Sequence, residues 1–453
     1  MAAVKEIRPR IDFESNPVVF AEASNDRVES ALFVAAQIHE GDRRKISKEP
    51  YLHHCVAVAS ILESWGADED LVVAGLLHDT VEDHPDLIDF EDVERLFGKR
   101  VAALVWGVTK FKSREGKESD FETLRKVTKE SLIDYGVAII KLADRLHNMM
   151  TLEGMPELKR IAKAKETLAV YTPLAESFGL WQIKNALADL SFMNLEEKRY
   201  WRYRRVIDED PRLGREFIEN MEMGLARILR DGGVTAVVEH QVGGYWEMVD
   251  KQRRAGMSGE VRPGSFYQIA DLVSFRVIVD GDDLATCYRA MGVVRQALSG
   301  QLDVYQHDDY LISPSVNGYS AIHDTYRLRE GWVEVAFTTR KKENFNNWGV
   351  MALPKEEIAR QPELYLRKLV FTPKEELIFM DPQAKGIDVA YKLNPLLGLR
   401  ARTMRIDGEE CGLEVVVPNS AVVEILTDQR RRVPNREWLR SCNEETREAI
   451  ERP

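Results

Sequence analysis

The sequence is poor in features that would place it in several large classes. Among 453 residues there are four cysteines, Cys55, Cys287, Cys411 and Cys442, none in a CxxC pair. That excludes a disulfide framework and a zinc knuckle and leaves buried or inert thiols as the plain reading. No apolar stretch reaches the length of a membrane span, and the opening MAAVKEIRPRIDFES is charged throughout, without an apolar signal core. A cytoplasmic protein without membrane contact is expected. Positive charge is also short: 63 Lys and Arg against 75 Asp and Glu give a net charge of −12. Bulk attraction to nucleic acid is therefore not available, and a polyanionic substrate would have to be met by a metal ion or a few placed cations. No repeat of fixed period and no low-complexity run occurs.

What is present suits a soluble chain of two to four domains. Helical periodicity fills residues 17–190, near 17–40, 51–65, 70–83, 90–108, 120–151, 156–178 and 180–190, which predicts an all-α domain. The pattern then changes. Helices at 211–231 and 283–298 alternate with β-branched, apolar LVSFRVIVD (272–280) and WVEVAFTT (332–339), predicting an α/β domain with a mixed sheet. Near 369 a hairpin turning at Pro373-Lys374, a helix GIDVAYKLN and strands around 402–407 and 422–427 predict a small β-grasp module. The charged tail from Arg430 reads as a short helix or a disordered end. The boundaries so drawn are 1–197, 198–362, 363–429 and 430–453.

Chemistry concentrates in the first third, where six of nine histidines lie: His39, His53, His54, His78, His84 and His147. The run Leu71 to Leu77 has no polar face, so it reads as a buried helix, and it delivers His78, Asp79, Glu82 and Asp83 at its end. The first two are metal-ligand types. Glu82 and Asp83, one helical turn further on, project over the same side and suit water activation or proton transfer. A second helix, VAIIKLADRLHNMMTL (137–152), puts Lys141, Asp144, Asn148 and Thr151 on one stripe. A carboxylate in so apolar a helix is costly unless paired or metal-bound. With His54 from Tyr51-Leu52-His53-His54, two imidazoles and two carboxylates form a borderline set suited to manganese, iron or zinc more than calcium. Singly, His54, His78 and Asp144 each read better as capped or salt-bridged structural residues; the case rests on the joint pattern.

These residues carry a resemblance. HDTVED, with His54 upstream and KLADRLHNM downstream, resembles the HD phosphohydrolase domain of the RelA/SpoT homologue family, enzymes that make and degrade the alarmone (p)ppGpp. EPYLHHCVAVASIL, FGKRVAALVWGVTK and ETLAVYTPLAESFGLWQIKNALADLSF match it in order and spacing. The resemblance implies His54, His78, Asp79 and Asp144 as ligands of Mn²⁺, with His53 outside the set. It implies Glu82 and Asp83 as the hydrolytic pair, leaving open which of them activates water, and Asn148 and Thr151 as nucleotide contacts. Arg44, Lys45 and Ser47 fall at the basic loop around the guanine, where RRKISKEPY stands for the family's RKSGEPY, with one extra residue counted from Arg44 and the Gly lost. The implied reaction is hydrolysis of the 3′-pyrophosphate of (p)ppGpp to GDP or GTP and pyrophosphate, in stringent-response control.

Further on, IADLVSFRVIVD (269–280), SPSVNGYSAIHDTY (313–326) and WVEV (332–335) resemble the family's nucleotidyltransferase-like synthetase domain. That implies Asp271 and Glu334 as its magnesium carboxylates and Tyr319 as its guanine-stacking ring. Its cations are missing: EHQVGGYWEMVDK (239–251) replaces GRPKxxYSIYRKM, Asp308 and Ser315 stand where Lys is expected, and Thr338 stands for Arg. Pyrophosphoryl transfer needs several fixed cations against the triphosphate, so a degenerate pseudo-synthetase is expected, kept for structure, regulation or guanine-nucleotide binding. Residues 370–428 resemble the family's TGS domain, with Asn394 and Leu399 where ribosome-sensing members carry histidines, so ribosome or tRNA binding is not expected. The alternatives are a bifunctional synthetase/hydrolase and a non-catalytic guanine-nucleotide- or tRNA-binding regulator; the intact ligand set speaks against the second.

Overall fold

The computed structural model describes residues 26–110, 120–254, 261–312, 314–315, 318–360, 368–428, 430 and 435–451. The first part of the helix expected at 17–40 lies outside them; its remainder is α1, Asp26–Ile38. The helical region continues with α2 (Leu52–Ser64), α3 (Glu69–Leu77), α4 (Thr80–Asp83), α5 (Phe90–Phe97), α6 (Lys99–Val108), α7 (Asp120–Glu130) and α8 (Gly136–Met150). Then come α9 (Glu157–Glu166), α10 (Thr172–Ser177) and α11 (Trp181–Leu195). The Asp68 carboxylate accepts the Leu71 amide to start α3, and every residue from Leu71 to Leu77 is buried, as an all-apolar helix requires. It packs on α1, α2, α6 and α8. Helix α8 begins at Gly136 in close contact with α3 and α6: a Cβ there would come within 2.5 Å of Leu71 Cδ2 and 2.8 Å of Leu104 Cδ2.

Three expected continuous helices are broken, 90–108 at Gly98 (φ 93°) and two others at points that matter for the site. The segment 70–83 ends at Leu77 and restarts at Thr80, with Asp79 at φ −104° and ψ −6° between. Thr80 Oγ1 donates to Leu77 O, and His78 Nδ1 turns back to Gly75 O, so local polar groups take up the carbonyls that a continuing helix would use. The segment 120–151 breaks between Glu130 and Gly136, whose amide is held by Asp134 Oδ1 at 2.9 Å.

Beyond α12 (Glu197–Asp208) and α13 (Arg215–Asp231) the chain forms β1 (Ala236–Val242), α14 (Tyr245–Arg254), β2 (Val273–Val279), α15 (Leu284–Ala297), β3 (Leu302–Asp309), β4 (Ile322–Arg327), β5 (Trp332–Thr339), α16 (Arg340–Trp348) and α17 (Lys355–Arg360). The sheet order is β1-β2-β5-β4-β3, with β2 and β5 parallel and the other pairs antiparallel. This is the expected mixed sheet. Its strand β2 is buried along its whole length.

The last region holds a hairpin, β6 (Lys368–Phe371) and β7 (Leu377–Met380), helices α18 (Gly386–Leu393) and α19 (Pro395–Arg400), and a second sheet of β8 (Ala401–Ile406), β9 (Glu409–Cys411) and β10 (Val423–Thr427) in the order β10-β8-β9. A parallel bridge from Phe371 to Val422 links the two sheets. The tail contributes a helix, α20 (Glu444–Glu451), which packs on α18. This region docks on α7, where Arg125 reaches Asp407 and Ser420 O at 3.0 Å each and Phe121 meets the Phe371 ring.

Candidate active site

Four side chains from three places in the helical region converge. His54, from α2, points Nε2 at Asp144 Oδ1 (3.4 Å) and at Asp79 Oδ2 (3.7 Å). His78 Nε2 stands 3.0 Å from Asp79 Oδ2. The ligand-type atoms of His54, His78 and Asp144 all lie within 4.8 Å of one another. The break after Leu77 is what turns His78 and Asp79 inward together.

The proton on the His78 ring is fixed from behind. His78 Nδ1 lies 2.8 Å from Gly75 O, which can only accept, so Nδ1 carries the hydrogen and, in the neutral ring that a metal takes, Nε2 is bare. That Nε2 is buried and makes no hydrogen bond. His54 Nδ1 lies 2.7 Å from His147 Nδ1. Burial, helped by His54 and Arg44, pushes His147 down to about 3, so it is neutral; in the tautomer in which His54 Nδ1 donates to it, His54 Nε2 is bare as well. Bare nitrogens facing carboxylate oxygens repel unless something positive lies between them. Burial works against charge on Asp79, yet His78 holds its carboxyl far below the usual range; His78 in turn is raised to about 9 by Asp79 and Asp144 despite its own burial, so with no other cation present it takes up a proton itself. Burial lowers His54. The donor set, its unshared lone pairs and its anionic excess fit a divalent transition cation.

Other groups orient the carboxylates. Tyr51 donates to Asp79 Oδ2 at 2.5 Å, Lys141 to Asp144 Oδ2 at 3.0 Å and Asn148 to Asp144 Oδ1 at 2.5 Å. Arg44 crosses from the loop 43–50 to Asn148 Oδ1 (2.9 Å) and Thr151 Oγ1 (3.2 Å). That loop is closed by an Arg43 to Pro50 bridge and by the Arg44 amide on Glu49 O. Lys45 and Ser47 lie exposed on it, away from this cluster of contacts.

Glu82 and Asp83 are not equivalent. Both Glu82 oxygens are occupied, Oε2 by the Lys110 amide at 2.8 Å and Oε1 by its ammonium at 2.5 Å, and the side chain is 7% exposed. The Asp83 carboxylate has no hydrogen-bond partner among the described residues; the Asp83 amide donates to Asp79 O at 2.9 Å. Burial first, then Asp79 and Glu82, raise its carboxyl above the ordinary aspartate value.

The counterpart carboxylates in the five-stranded region have built-in partners. Asp271 is ion-paired with Lys251, which also holds Glu247 at 2.7 Å. Glu334 accepts from Ser274 Oγ at 2.7 Å and is paired with His323 Nδ1 at 2.7 Å. Arg276 donates to Tyr319 Oη (2.5 Å), whose hydroxyl lies 2.7 Å from His323 Nε2. One direction of donation, Arg276 to Tyr319 to His323 to Glu334, satisfies the whole chain.

Two family models match: "HD domain" over residues 31–181 and "Region found in RelA / SpoT proteins" over residues 242–355. Similar curated proteins include the bifunctional (p)ppGpp synthase/hydrolase SpoT of Escherichia coli, 32% identical over 91% of this chain and 62% of that protein. Another is a GTP pyrophosphokinase of Streptomyces coelicolor, 32% identical over 91% of this chain and 53% of that protein. The chain belongs to the RelA/SpoT homologue family. It spans about 62% or less of the length of these relatives. A solved metazoan orthologue of SpoT that hydrolyses ppGpp is 29% identical and covers 40% of this chain and 97% of that one, at a TM-score of 0.29.

Within this family member, the structure brings together His54, His78, Asp79, Asp144, Asn148, Thr151 and Arg44 from the sequence-predicted set, leaves Lys45 and Ser47 at the rim, and turns Glu82 toward Lys110. Sequence reasoning missed Tyr51 and His147, although both sit inside quoted motifs. It also missed the contact of Asp42 with His39 (3.0 Å) and His84 (2.6 Å). The 42-residue separation of Asp42 and His84 carries no spacing signal.

Proposed function

We propose that this chain is a metal-dependent 3′-pyrophosphohydrolase of (p)ppGpp acting in the cytoplasm in stringent-response control, with Mn²⁺ as the metal and with synthetase activity lost. The observation that carries the reading is the buried, unbonded His78 Nε2 gathered with His54 Nε2 and two carboxylates. His54, His78, Asp79 and Asp144 would hold the ion, which when bound supplies positive charge for the phosphate and makes water a stronger acid. Arg44, Asn148 and Thr151 seat the nucleotide, with Lys45 and Ser47 at the loop edge. Asp83 takes the proton from the attacking water, because its carboxylate is uncommitted and its raised pKa makes it the stronger base. Glu82 fixes the end of α4 against Lys110. Lys141 and Tyr51 hold the ligand carboxylates in place.

For the middle region, a pseudo-synthetase is supported by the internal pairing of Asp271 and Glu334 and by Tyr319 being tied into the Arg276 chain, where magnesium and an acceptor guanine would compete with existing bonds. The domain limits 1–197, 198–362, 363–429 and 430–453 remain our division. The last folded unit is read as a TGS-type β-grasp, supported by the linked strand order β7-β6-β10-β8-β9. The test is a paired assay on one purified sample. Pyrophosphate release from ppGpp with Mn²⁺, abolished by chelation, and no AMP from ATP plus GDP are expected. No release at saturating metal would sink the hydrolase reading, and AMP formation the pseudo-synthetase one.

A further inference from the structure

One carboxylate joins two parts of the proposed machinery that lie far apart in sequence. Asp42 Oδ2 stands 3.0 Å from His39 Nδ1 and 2.6 Å from His84 Nε2. Asp42 is the base of the loop 43–50: its carbonyl accepts the Tyr51 amide at 3.0 Å, and Arg44, two residues on, reaches Asn148 and Thr151. His84 directly follows Asp83 and closes α4, its amide on Thr80 O at 3.0 Å. His39, buried, lies against the Tyr51 ring with centroids 4.8 Å apart, and Tyr51 bonds Asp79. A shift of His84 therefore moves Asp83 relative to both Arg44 and the ligand cluster.

His39, Asp42 and His84 are also metal-ligand types lying together. Their spacing speaks for hydrogen bonds instead. Atoms that each sit about 2.1 Å from one ion are held roughly 3 Å or more apart, whereas 2.6 Å between an imidazole nitrogen and a carboxylate oxygen is a direct hydrogen bond.

We propose that Asp42 and His84 are positioning residues that fasten the Arg44 loop to the segment presenting Asp83, so that nucleotide seating and water activation are kept in one register. This rests on the hydrolase reading above. It is tested in the full chain with H84A, H84Q, D42A and D42N, measuring kcat and KM for ppGpp with Mn²⁺, bound metal, and hydrogen exchange of residues 43–50. H84A and D42A should lower kcat about tenfold or more, as misplacement and lost supporting contacts do, with wild-type metal content and faster exchange in the loop. H84Q, whose amide nitrogen falls near the place of the imidazole Nε2, should recover most of kcat, and D42N part of it. H84A with kcat, KM and loop exchange all within twofold of wild type overturns the proposal. So does lowered thermal stability with unaltered kinetics, or a second metal equivalent in wild type that H84A removes. If wild type releases no pyrophosphate, the hydrolase reading fails separately, and unchanged loop exchange in H84A would then overturn the tether itself.

Discussion

Asp79 and Asp144 in the helical region, and Asp271 and Glu334 in the five-stranded one, are carboxylate pairs with different kinds of neighbour. The first pair faces imidazole nitrogens at 3.0 to 3.7 Å, one of them buried without any hydrogen bond, and shares a single ammonium, Lys141 at 3.0 Å from Asp144 Oδ2. The second pair is already matched: Lys251 lies on Asp271, and His323 and Ser274 each approach Glu334 at 2.7 Å. Buried anions that outnumber their fixed cations favour an incoming one. Anions matched by side chains disfavour one, because the ion must break a desolvated pair and leave its partner uncompensated. A set of ligand-type residues therefore says little until the partners of each atom are known.

The sharpest way to break this comparison is to remove a ligand where the polypeptide supplies no substitute. H78A should lower pyrophosphate release from ppGpp by at least about 10³-fold, since the charge that stabilises the phosphate is lost with the ion. Bound metal, measured on the same sample by elemental analysis, should fall in parallel. Retained metal with retained turnover would show that the cluster is only a buried polar core.

Next in size is the contrast between neighbours. D83N should cost about 10²-fold or more in kcat, the scale of general base catalysis, while E82Q keeps the tie to the Lys110 amide and should cost about tenfold or less. The pH profile separates them further. Burial, Asp79 and Glu82 raise Asp83, so its basic form is lost already above the ordinary aspartate range as pH falls, and the acid limb of kcat should lie correspondingly high. The limb should vanish from the residual activity of D83N and persist in E82Q. The reverse pattern would exchange the two roles.

Much of the helical site was legible because its residue types are costly where they stand. A His-Asp doublet ending an all-apolar run and an aspartate inside VAIIKLADRL need partners, and residue type alone says so. What was not legible depended on backbone turns and strand register. The break at His78 and Asp79 follows from local bonds to Gly75 O and Leu77 O, which periodicity does not register. It sends Glu82 to Lys110 instead of over the ligands. In the sheet, Ser274 is directly opposite Glu334 across the β2–β5 pair, and His323 reaches Glu334 diagonally, since Thr325 is the residue opposite it on β4. The missing family cations could be read from the sequence. That His323 and Lys251 had taken over their carboxylates could not, because those contacts exist only after the strands pair.

The smallest expected effect on hydrolysis tests the closed pair directly. Burial alone would raise Glu334, but His323, helped by Arg276 and Ser274, brings its carboxyl down to about 2. A carboxylate depressed on folding contributes stability that is fully present above its unfolded value of about 4.3 and is lost as pH falls toward the folded value. Denaturant unfolding of wild type and E334Q at pH 7, 4 and 3 should show the stability gap between them shrinking across that window, because the amide of the variant has no proton to take up. Hydrolysis of ppGpp at neutral pH should stay within about twofold, since Glu334 has no part in the proposed chemistry of the helical region. A gap independent of pH would mean that the Glu334 carboxyl has the same pKa folded and unfolded, and a shift in favour of wild type as pH falls would mean that it is neutral in the folded chain; in either case the two carboxylate pairs would differ less than their geometry implies. A large loss of hydrolysis would instead show that the five-stranded region sets the state of the helical one.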